Sequence, residues 1–394
     1  MNLSFPPPNR GLLVVWGVLA SYPFGGITWQ VLHHLVGLRR LGYDVWYVED
    51  SDNDDVYDVE TWWRTHDYER NVAFLARQMD AIGLGDRWIF RPPLSKAACF
   101  GARDLNGLAQ LYRDADAVLH ISGYNQVRPE HASIRCLVYL ETDPFEVQVG
   151  VASGKEWDIR RCAAHDALFT YAENIGQHDC AIPTERFHWQ TTRPPVVVDW
   201  WETLAPPEDP RFTTVLNWDT SGHELEWRGQ RYRWRKDHQF ERLAGLPSRV
   251  TTPLELAIAH IGDGDADALR AVGWRITSAK ALAAPDVYRD YIRSSCGEFS
   301  VAKDYYTLPR TGWFSDRSVC YLAAGRPVVL QSTGFEKFVP TGLGLFAFTN
   351  LDEAAAALEA ITADYATHSA AAQDIAREHF AAEKVLAKLL ARLN

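Results

Sequence analysis

The sequence has no long hydrophobic run and no block of basic residues. Its first apolar stretch, Leu12–Ala20, is too short to cross a bilayer, and the N-terminus lacks the basic and then apolar pattern of a secretory signal. The 40 basic residues are outnumbered by 51 acidic ones, which gives a formal charge of -11. Such a chain offers no row of cations to a nucleic-acid backbone. We therefore expect a cytoplasmic protein with no transmembrane segment and no nucleic-acid partner.

Two common signatures of metal and cofactor sites are also absent. The six cysteines include no CxxC pair, so we expect reduced thiols rather than a zinc site or a disulfide framework. No GxGxxG fingerprint follows a strand pattern, which disfavours a dinucleotide such as NAD. We predict neither a bound metal nor an organic cofactor.

The residues that are present are typical of a globular protein. Hydrophobic residues make up 47% of the chain and charged residues 23%, far from the composition of a disordered segment. A length of 394 residues exceeds what one hydrophobic core usually serves. Two domains are therefore expected.

Strand and helix patterns alternate along the chain. Leu12–Leu19 predicts a buried strand, the apolar spacing from Ile27 to Leu41 predicts a helix, and Asp44–Glu49 predicts the next strand. Further strands are predicted at Ala117–Ser122, Cys136–Glu141, Ala167–Ala172, Phe212–Leu216, Leu254–His260, Trp274–Thr277, Val328–Gln331 and Leu345–Thr349. The alternation indicates an α/β fold built from doubly wound parallel sheets.

A proline cluster divides the chain. Gln190–Pro210 is typical of a linker, so we place a first domain at 1–195 and a second at 196–375. The alanine-rich tail, from Ala370 to Leu393, has helical periodicity and no breaker. We predict one long helix or two collinear helices there, and we treat 376–394 as a separate C-terminal segment.

Gly25 and Gly26 are the first candidate for ligand binding. They follow the first predicted strand, where glycine lets the backbone approach an anion and the next helix offers free N–H groups. A tight turn between strand and helix would need the same residues. Gly-Gly alone therefore leaves both readings open.

Glu141 and Asp143 are candidate catalytic carboxylates. They stand at the end of a predicted strand, where rigid backbone can position a general base, and Asp143 is the preferred one. Thr and Asp before Pro144 are equally typical of a helix N-cap. The sequence leaves these two readings balanced.

A polar segment of the second half is the strongest local pattern. It opens a short helix with two arginines and several hydroxyls, which suits a diphosphate because hydroxyls, N–H groups and guanidinium can hold its oxygens. A solvated helix cap is the alternative. The candidates for donor binding are Arg310, Gly312, Ser315, Asp316, Arg317 and Ser318.

Two further segments supply weaker candidates. Ser294–Ser300 is predicted to be a polar turn, and it contributes Gly297 and Glu298 to the candidate donor site. Lys236 lies in a basic stretch and Lys303 follows the turn. For both lysines an exposed position is the commoner outcome, because most lysines are solvated.

One segment resembles a known family. Tyr321–Val329 is a short helix closed by Gly325, with Pro327 leading into a strand, and it resembles the donor-site helix and strand of GT-B glycosyltransferases. The resemblance extends over Glu298–Gly334, where the GEFSVAK and GWFSDRS segments resemble those of bacterial members. It implies two Rossmann-like domains facing across a cleft, with the final helix crossing back to the first domain.

The resemblance also implies where ligands bind. The nucleotide would be held mainly by the second domain and the acceptor by the first, whose glycine loop corresponds to Gly25 and Gly26. Retaining members carry two glutamates, and the alignment places Gly312 and Cys320 at those positions. Glu298 and Asp316 are the residues that could replace the missing carboxylate, and inverting and retaining transfer both stay open.

The expected function is transfer of a sugar from a nucleotide-sugar donor, without a metal, to a small-molecule, glycan or lipid-linked acceptor. In an inverting reaction Asp143 would take the proton of the acceptor hydroxyl. Two alternatives remain. One is a sugar-nucleotide 2-epimerase of the same fold, and the other is a non-catalytic protein that binds sugars or nucleotides.

Overall fold

The computed structural model describes residues 5–53, 55–92, 99–203, 207, 209–218 and 224–393. The strands are β1 (Leu12–Trp16), β2 (Asp44–Glu49), β3 (Val56–Tyr57), β4 (Arg64–Thr65), β5 (Trp88–Phe90), β6 (Phe100–Gly101), β7 (Ala117–Ile121), β8 (Leu137–Glu141), β9 (Ala167–Thr170), β10 (Trp189–Thr191), β11 (Phe212–Asn217), β12 (Glu224–Trp227), β13 (Gln230–Arg233), β14 (Leu254–Ala259), β15 (Arg275–Ser278), β16 (Gly297–Ser300), β17 (Val328–Gln331) and β18 (Leu345–Phe348).

The helices alternate with these strands. They are α1 (Gly25–Arg40), α2 (Glu69–Ala81), α3 (Leu105–Asp114), α4 (Glu146–Ala152), α5 (Glu156–Ala163), α6 (Asp237–Arg242), α7 (Asp263–Ala271), α8 (Pro285–Ser294), α9 (Asp304–Thr307), α10 (Asp316–Ala323), α11 (Leu351–Ala363), α12 (Tyr365–Ile375) and α13 (Ala382–Leu390). Among the described residues, no helix is long and apolar enough to cross a membrane.

The first half of the chain forms an eight-stranded sheet. Its strand order is β10-β9-β8-β7-β1-β2-β5-β6, and the pairs are parallel except β5 with β6. The central strands are buried on both faces because helices cover the sheet, which explains their continuous apolar runs. The order reverses at β1 and β7. That point is the topological switch, where open α/β sheets bind ligands.

The second half forms a six-stranded parallel sheet. Its order is β15-β14-β11-β16-β17-β18, so the switch point lies between β11 and β16. The two doubly wound sheets confirm the predicted fold class. The predicted turn at Ser294–Ser300 is wrong, because Gly297–Ser300 is the buried strand β16. This segment resembled a turn because it carries the polar residues Glu298 and Ser300, but both are buried and hydrogen-bonded to Arg317 of α10.

The C-terminal helix packs on the first half of the chain. Val196 accepts a backbone hydrogen bond from Ala382 and donates one to Phe380, which fastens the linker to the tail. A Cβ atom on Gly37 of α1 would stand 2.6 Å from the Leu386 side chain, so glycine is what lets α13 approach α1 so closely. The C-terminal segment therefore runs from the second sheet back to the first. The domain boundaries, at 195 and 375, stay a prediction.

Two details differ from expectation. The tail is not one helix or a collinear pair, since a π-helical turn at Ala376–Phe380 is followed by Ala381 with an extended ψ of 127°. Because alanine favours helix, the sequence gives no sign of this interruption. The β-bridge between Ala381 and Val196 interrupts the helix. The proline-rich segment also contains the edge strand β10 and a short 3-10 turn, Val198–Trp200, rather than linker alone.

Candidate active site

A cleft joins the switch points of the two sheets. Its volume is about 360 Å³, and it lies beyond the carboxyl ends of β1 on one side and β11 on the other. Both sheets therefore present their ligand-binding edges to one space. The first half of the chain lines it with Phe24, Gly25, Gly26, Ile27, Gln30 and Trp62, and the second half with Val215, Leu216, Asn217, Ala259, His260, Ala279, Leu282, Ala283, Tyr288, Ser315, Asp316 and Arg317.

The N-terminus of α1 opens onto this cleft. Its N-cap residue, Phe24, supplies no side-chain hydrogen bond, and its first turn contains no acidic residue. The first N–H groups of a helix have no partner within the helix, so those of Gly25 and Gly26 are oriented for an anion. This position supports the predicted role of the two glycines in phosphate binding, which stays a prediction.

The N-terminus of α10 faces the same cleft but is already capped. The Ser315 hydroxyl accepts a hydrogen bond of 3.2 Å from the Arg317 N–H. Asp316 accepts a hydrogen bond of 2.9 Å from the Gln30 amide, and the Tyr171 hydroxyl interacts with the same carboxyl group. Burial, helped by the Asp143 charge, raises the pKa of Asp316 to about 7. Asp316 is thus a carboxyl group that can be neutral or charged near pH 7.

Arg317 is held in place by three hydrogen bonds. Its Nε donates to Glu298 at 2.5 Å, Nη1 to the Val215 carbonyl at 2.7 Å and Nη2 to the Ser300 hydroxyl at 2.7 Å. Glu298 is fully buried, whereas Arg317 keeps 14% of its side chain exposed. A guanidinium has five N–H donors, so this set leaves donors for a ligand. The predicted site residues Glu298 and Arg317 therefore form one unit.

Lys236 lies near this pair, and Lys303 lies near Lys236. Lys303 is only 17% exposed, and its ammonium lies 3.1 Å from the centre of the Trp234 ring. Burial, together with the charges of Arg317 and Lys303, lowers the pKa of Lys236 well below its usual value. The expectation that both lysines are solvated surface residues is wrong, since Lys303 is largely buried and Lys236 is half-buried. An anion placed among these three cations would relieve their mutual repulsion.

Asp143 reaches the second half of the chain from the end of β8. It accepts a 3.0 Å hydrogen bond from the Lys303 ammonium and another from the Tyr306 hydroxyl. Burial favours the neutral acid, but Lys303 and Tyr306 outweigh it and lower the pKa of Asp143. The Trp313 ring stacks on the Tyr306 ring with their centres 4.1 Å apart, and its N–H donates a hydrogen bond of 2.9 Å to the Thr142 carbonyl. These two contacts hold Tyr306 beside Asp143. Asp143 is therefore an ionised carboxylate at neutral pH.

Glu141 lies beneath Asp143 in the sheet. It is 1% exposed and accepts hydrogen bonds from the Gln148 amide at 2.5 Å and the Thr170 hydroxyl at 2.7 Å. Burial raises the pKa of Glu141 to about 8. A neutral acid so enclosed can position Asp143, but its burial separates it from any substrate in the cleft. Of the two carboxylates that were predicted to be catalytic, only Asp143 therefore stays a candidate.

The structure does not bring the other candidates to the cleft. Gly297 lies inside β16, where a Cβ atom would stand 2.5 Å from the Pro327 carbonyl. Arg310 donates 3.1 Å to Asp179, and the Gly312 N–H donates 2.7 Å to the Thr333 carbonyl.

These placements have plain physical reasons. Gly312 adopts a φ of +79° and packs against the Asn174 backbone, so it serves the contact between the two halves of the chain. Ser318 is fully buried, and its hydroxyl has no hydrogen-bond partner among the described residues. Ser318 therefore does not line the cleft, whereas Ser315 does.

Sequence reasoning missed three residues of this site. Gln30 hydrogen-bonds Asp316, Tyr306 hydrogen-bonds Asp143, and Tyr288 packs over the start of α1. Only Tyr306 carried a signal, since it follows Lys303 by three residues and so shares a helix face with it. Gln30 and Tyr288 act across the two halves of the chain, where no local pattern points to them.

One group of possible metal ligands lies in the described part of the chain. Asp50, Glu130 and His131 bring one ligand atom each within 4.8 Å of one another. Asp50 already pairs with Arg128 at 2.5 Å and Arg91 at 3.5 Å. Two guanidinium groups at the same carboxylate repel a cation, so the donor set does not fit a metal. Metal independence itself stays a prediction.

The fold matches solved glycosyltransferases over nearly the whole chain. An α-glucosyltransferase solved with UDP-glucose and DNA containing an abasic site superimposes with a TM-score of 0.59 at 11% identity, covering 97% of this chain and 99% of the other. AviGT4, a glycosyltransferase involved in avilamycin A biosynthesis, gives 0.55 at 11% identity, with coverages of 98% and 97%. The Anabaena protein Alr3699/HepE, in complex with UDP-glucose, gives 0.53 at 13% identity, with coverages of 97% and 100%. The chain has the GT-B fold.

No protein-family model matches the sequence, and no curated protein matches it either. The GT-B fold nevertheless explains why the cleft is a candidate ligand site. In this fold the space between the two sheets is where both switch points meet, and here it holds the uncapped end of α1 and the Arg317–Glu298 pair.

Proposed function

We propose that this protein transfers a sugar from a nucleotide-sugar donor to an acceptor bound in the same cleft. The observation that carries the proposal is the convergence of both switch points on one space that also holds the uncapped N-terminus of α1 and Arg317. Lys236 lies near Arg317 and Lys303, and a bound anion would favour its charged form, which burial and these neighbouring cations disfavour. Such a cleft suits a ligand with an anionic centre, a flat apolar end and a polar end.

The donor would lie mainly on the second domain, at 196–375. Its diphosphate would take N–H groups of Gly25 and Gly26 together with Arg317 and the two lysines. The base would lie among apolar groups at the ends of β11 and β14, where Val215, Leu216 and Ala259 line the cleft. The first domain, at 1–195, would hold the acceptor, and 376–394 would tie the two domains together.

Asp143 is the proposed base of an inverting reaction. The acceptor oxygen attacks the anomeric carbon, the bond from that carbon to the diphosphate oxygen breaks, and the acceptor proton passes to Asp143. In the structure Asp143 is paired with Lys303, which would suppress its basicity. A donor diphosphate would compete for Lys303, so donor binding would release Asp143 for the acceptor.

The retaining alternative needs no such base, because the leaving phosphate can take the proton. The epimerase alternative is favoured by one observation, the raised pKa of Asp316, since an acid or base beside the sugar needs a pKa near 7. A non-catalytic binder would use the cleft without turnover. Product analysis separates the three, because an epimerase consumes no acceptor and a binder converts no donor.

The proposed acceptor is a small molecule, a glycan or a lipid-linked sugar. Although one similar structure is described with DNA, the formal charge of -11 disfavours nucleic acid here. We further propose that the reaction takes place in the cytoplasm without a metal, with Arg317 and the lysines neutralising the leaving diphosphate.

The test is a thermal-shift panel of UDP, dTDP, GDP, CDP and NAD, followed by product analysis with the matching sugar nucleotides. A bound nucleoside diphosphate raises the Tm by mass action. Lys236→Met should abolish that rise, while Arg270→Met, which removes an exposed charge on α7, should leave it unchanged. A response to NAD alone, or none to any nucleotide, would contradict the proposal.

A further inference from the structure

A second cavity lies at the hinge between the two halves of the chain. It measures about 140 Å³ and shares no lining residue with the cleft. The end of β10 forms one side, and the π-helical turn and α13 form the other. The lining residues are Glu173, Thr191, Thr192, Arg193, His379, Lys384, Val385, Lys388, Leu389 and Arg392.

Three cations face this cavity from the C-terminal segment. Lys384 and Lys388 are four residues apart and share one face of α13, and Arg392 follows just after the helix ends at Leu390. Arg392 donates 2.8 Å to the Thr191 carbonyl. The ammonium groups of Lys384 and Lys388 form no hydrogen bond or ion pair within the described part of the chain.

Arg193 and His379 complete the positive lining. Arg193 donates three hydrogen bonds, of 2.7 Å to Glu173, 2.9 Å to the Phe338 carbonyl and 3.1 Å to Nδ1 of His379. A guanidinium can only donate, so Nδ1 of His379 accepts and the imidazole is held as the neutral tautomer with its proton on Nε2. Burial, followed by the charges of Arg193 and the nearby lysines, lowers the pKa of His379. The Nε2–H group is a further donor.

The charges around this cavity are not balanced. Four permanent cations line it with a single carboxylate, Glu173, which Arg193 already pairs. The neighbouring Glu378 is exposed and forms no part of the lining. Lys384, Lys388 and Arg392 are exposed, so the cavity is open to solvent on their side. In a protein with a formal charge of -11, such an excess of positive charge at one place favours the binding of an anion.

We infer that the hinge cavity binds a phosphate group. Two ammonium groups, the guanidinium of Arg392 and the hydroxyls of Thr191 and Thr192 provide donors on opposite sides of one small cavity. A phosphate presents several acceptor oxygens and close to two negative charges, so it matches this set better than a carboxylate does. The phosphate can belong to a soluble phosphorylated molecule or to a lipid headgroup.

The first experiment measures the Tm of the full chain against inorganic phosphate, with chloride at matched ionic strength as the blank. The wild type should show a saturable rise. In Lys384→Ala/Lys388→Ala the affinity for phosphate should fall at least about tenfold, since each lost charge-assisted contact weakens binding. The matched control, Arg113→Ala/Arg270→Ala, loses two exposed cations from α3 and α7 and should bind phosphate as the wild type does.

The second experiment separates the two sources of phosphate. The same proteins are sedimented with phosphatidylcholine vesicles that contain or lack phosphatidic acid. Binding that requires phosphatidic acid and both lysines assigns the site to a lipid headgroup, whereas saturation by inorganic phosphate without vesicle binding assigns it to a soluble ligand. Both results support the inference.

Equal phosphate responses in the double variant and its control would overturn the inference, as would a rise that chloride reproduces. Phosphate that enters the main cleft contributes equally to all three proteins and cancels in the comparison. The response to nucleoside diphosphates, measured in parallel, should be unchanged in Lys384→Ala/Lys388→Ala. Failure at the hinge is thus distinguishable from failure of the proposed transferase function.

Discussion

The two walls of the cleft differ in charge and in how their charges are held. The wall built on the first sheet offers glycines and an uncapped helix end, and Asp143 lies close enough to the cleft residue Asp316 to affect its pKa. The wall built on the second sheet offers Arg317, fixed by a buried partner, with Lys236 near Arg317 and Lys303 near Lys236. Similar sheets with similar switch points thus carry different chemistry. The difference supports a division in which one wall neutralises the donor and the other serves the acceptor.

Two carboxyl groups show the same contrast in their pKa values. Asp143 has a lowered pKa because Lys303 and Tyr306 outweigh burial, whereas burial and the Asp143 charge raise the pKa of Asp316 to about 7. Near pH 7 the first is ionised and the second exchanges its proton. A site that keeps two carboxyl groups in different protonation states can assign them different roles.

The largest effect is expected from removing the anchored cation of the second wall. Arg317→Ala would leave Glu298 buried and unpaired, which should lower the free energy of unfolding by about 3–5 kcal/mol. Chemical denaturation measures this loss. The double variant Arg317→Ala/Glu298→Gln should recover part of it, because no uncompensated charge remains. A loss below about 1 kcal/mol in the single variant would contradict this difference between the walls, because it would show that the ion pair with Glu298 does not hold Arg317 in place.

The next prediction concerns the first wall. Asp143→Asn should lower kcat about 100-fold or more, because a general base typically contributes 10²–10⁴-fold. Donor affinity should be retained or improved, since Lys303 then loses its competing partner. Asp179→Asn is the matched control, because Asp179 also joins the two halves of the chain, through Lys337 and Arg310, but pairs with neither Lys303 nor Tyr306.

A retaining reaction would give a different result for the same pair. Turnover in Asp143→Asn would then stay within a few-fold of the control, and the anomeric configuration of the product would be that of the donor. Such an outcome would remove the catalytic role of the first wall and leave the second wall with the whole chemistry.

Sequence patterns predicted the sheets well because apolar periodicity reports burial directly. β2, Asp44–Glu49, and β17, Val328–Gln331, were predicted to the residue, and most of the other strands that the patterns indicated have bounds within two residues of those predicted. The start of α1 and the turn before α10 were both selected, and the structure brings them to one cleft. Strand ends and helix starts are local features, so a single sequence can identify them.

Residues whose environment depends on distant parts of the chain were predicted poorly. β16 was taken for a turn because its polar residues find partners that are distant in sequence, such as Ser300 with Arg317 of α10. Arg310 carries the same side chain as Arg317, yet it bonds Asp179 in the contact between the two halves. The burial of Lys303 follows from Asp143 and Trp234, which no local pattern places beside it.

The adjacent glycines of the first wall should respond differently to one added methyl group. On Gly25 a Cβ atom would stand 2.8 Å from Tyr288 Cβ and 3.0 Å from the Leu282 carbonyl, both in the opposite wall. On Gly26 its nearest contact would be an ordinary 3.5 Å, to the Tyr288 hydroxyl. Gly25→Ala should therefore lower the free energy of unfolding by about 1–3 kcal/mol, and Gly26→Ala should not. Equal values for the two variants would mean that the walls are less closely apposed than this contact requires.

The smallest effect concerns the protonation of Asp316. A buried acid whose folded pKa is raised binds more protons in the folded state than in the unfolded one, so stability falls as pH rises from the unfolded value of about 4 toward 7. Wild type should lose about 1 kcal/mol between pH 6 and pH 7 relative to Asp316→Asn, which has no such titration. Denaturation of both proteins at the two pH values measures the difference.

The same variant sharpens the contrast between the two carboxyl groups. Because the Asp143 charge contributes to the raised pKa of Asp316, the pH-dependent loss should become smaller when it is measured in an Asp143→Asn background. A loss that is unchanged there would mean that burial alone raises the pKa of Asp316. No loss in either background would mean that Asp316 is ionised throughout, and the second wall would then hold a fixed negative charge beside Arg317, which argues against a diphosphate at that end of the cleft.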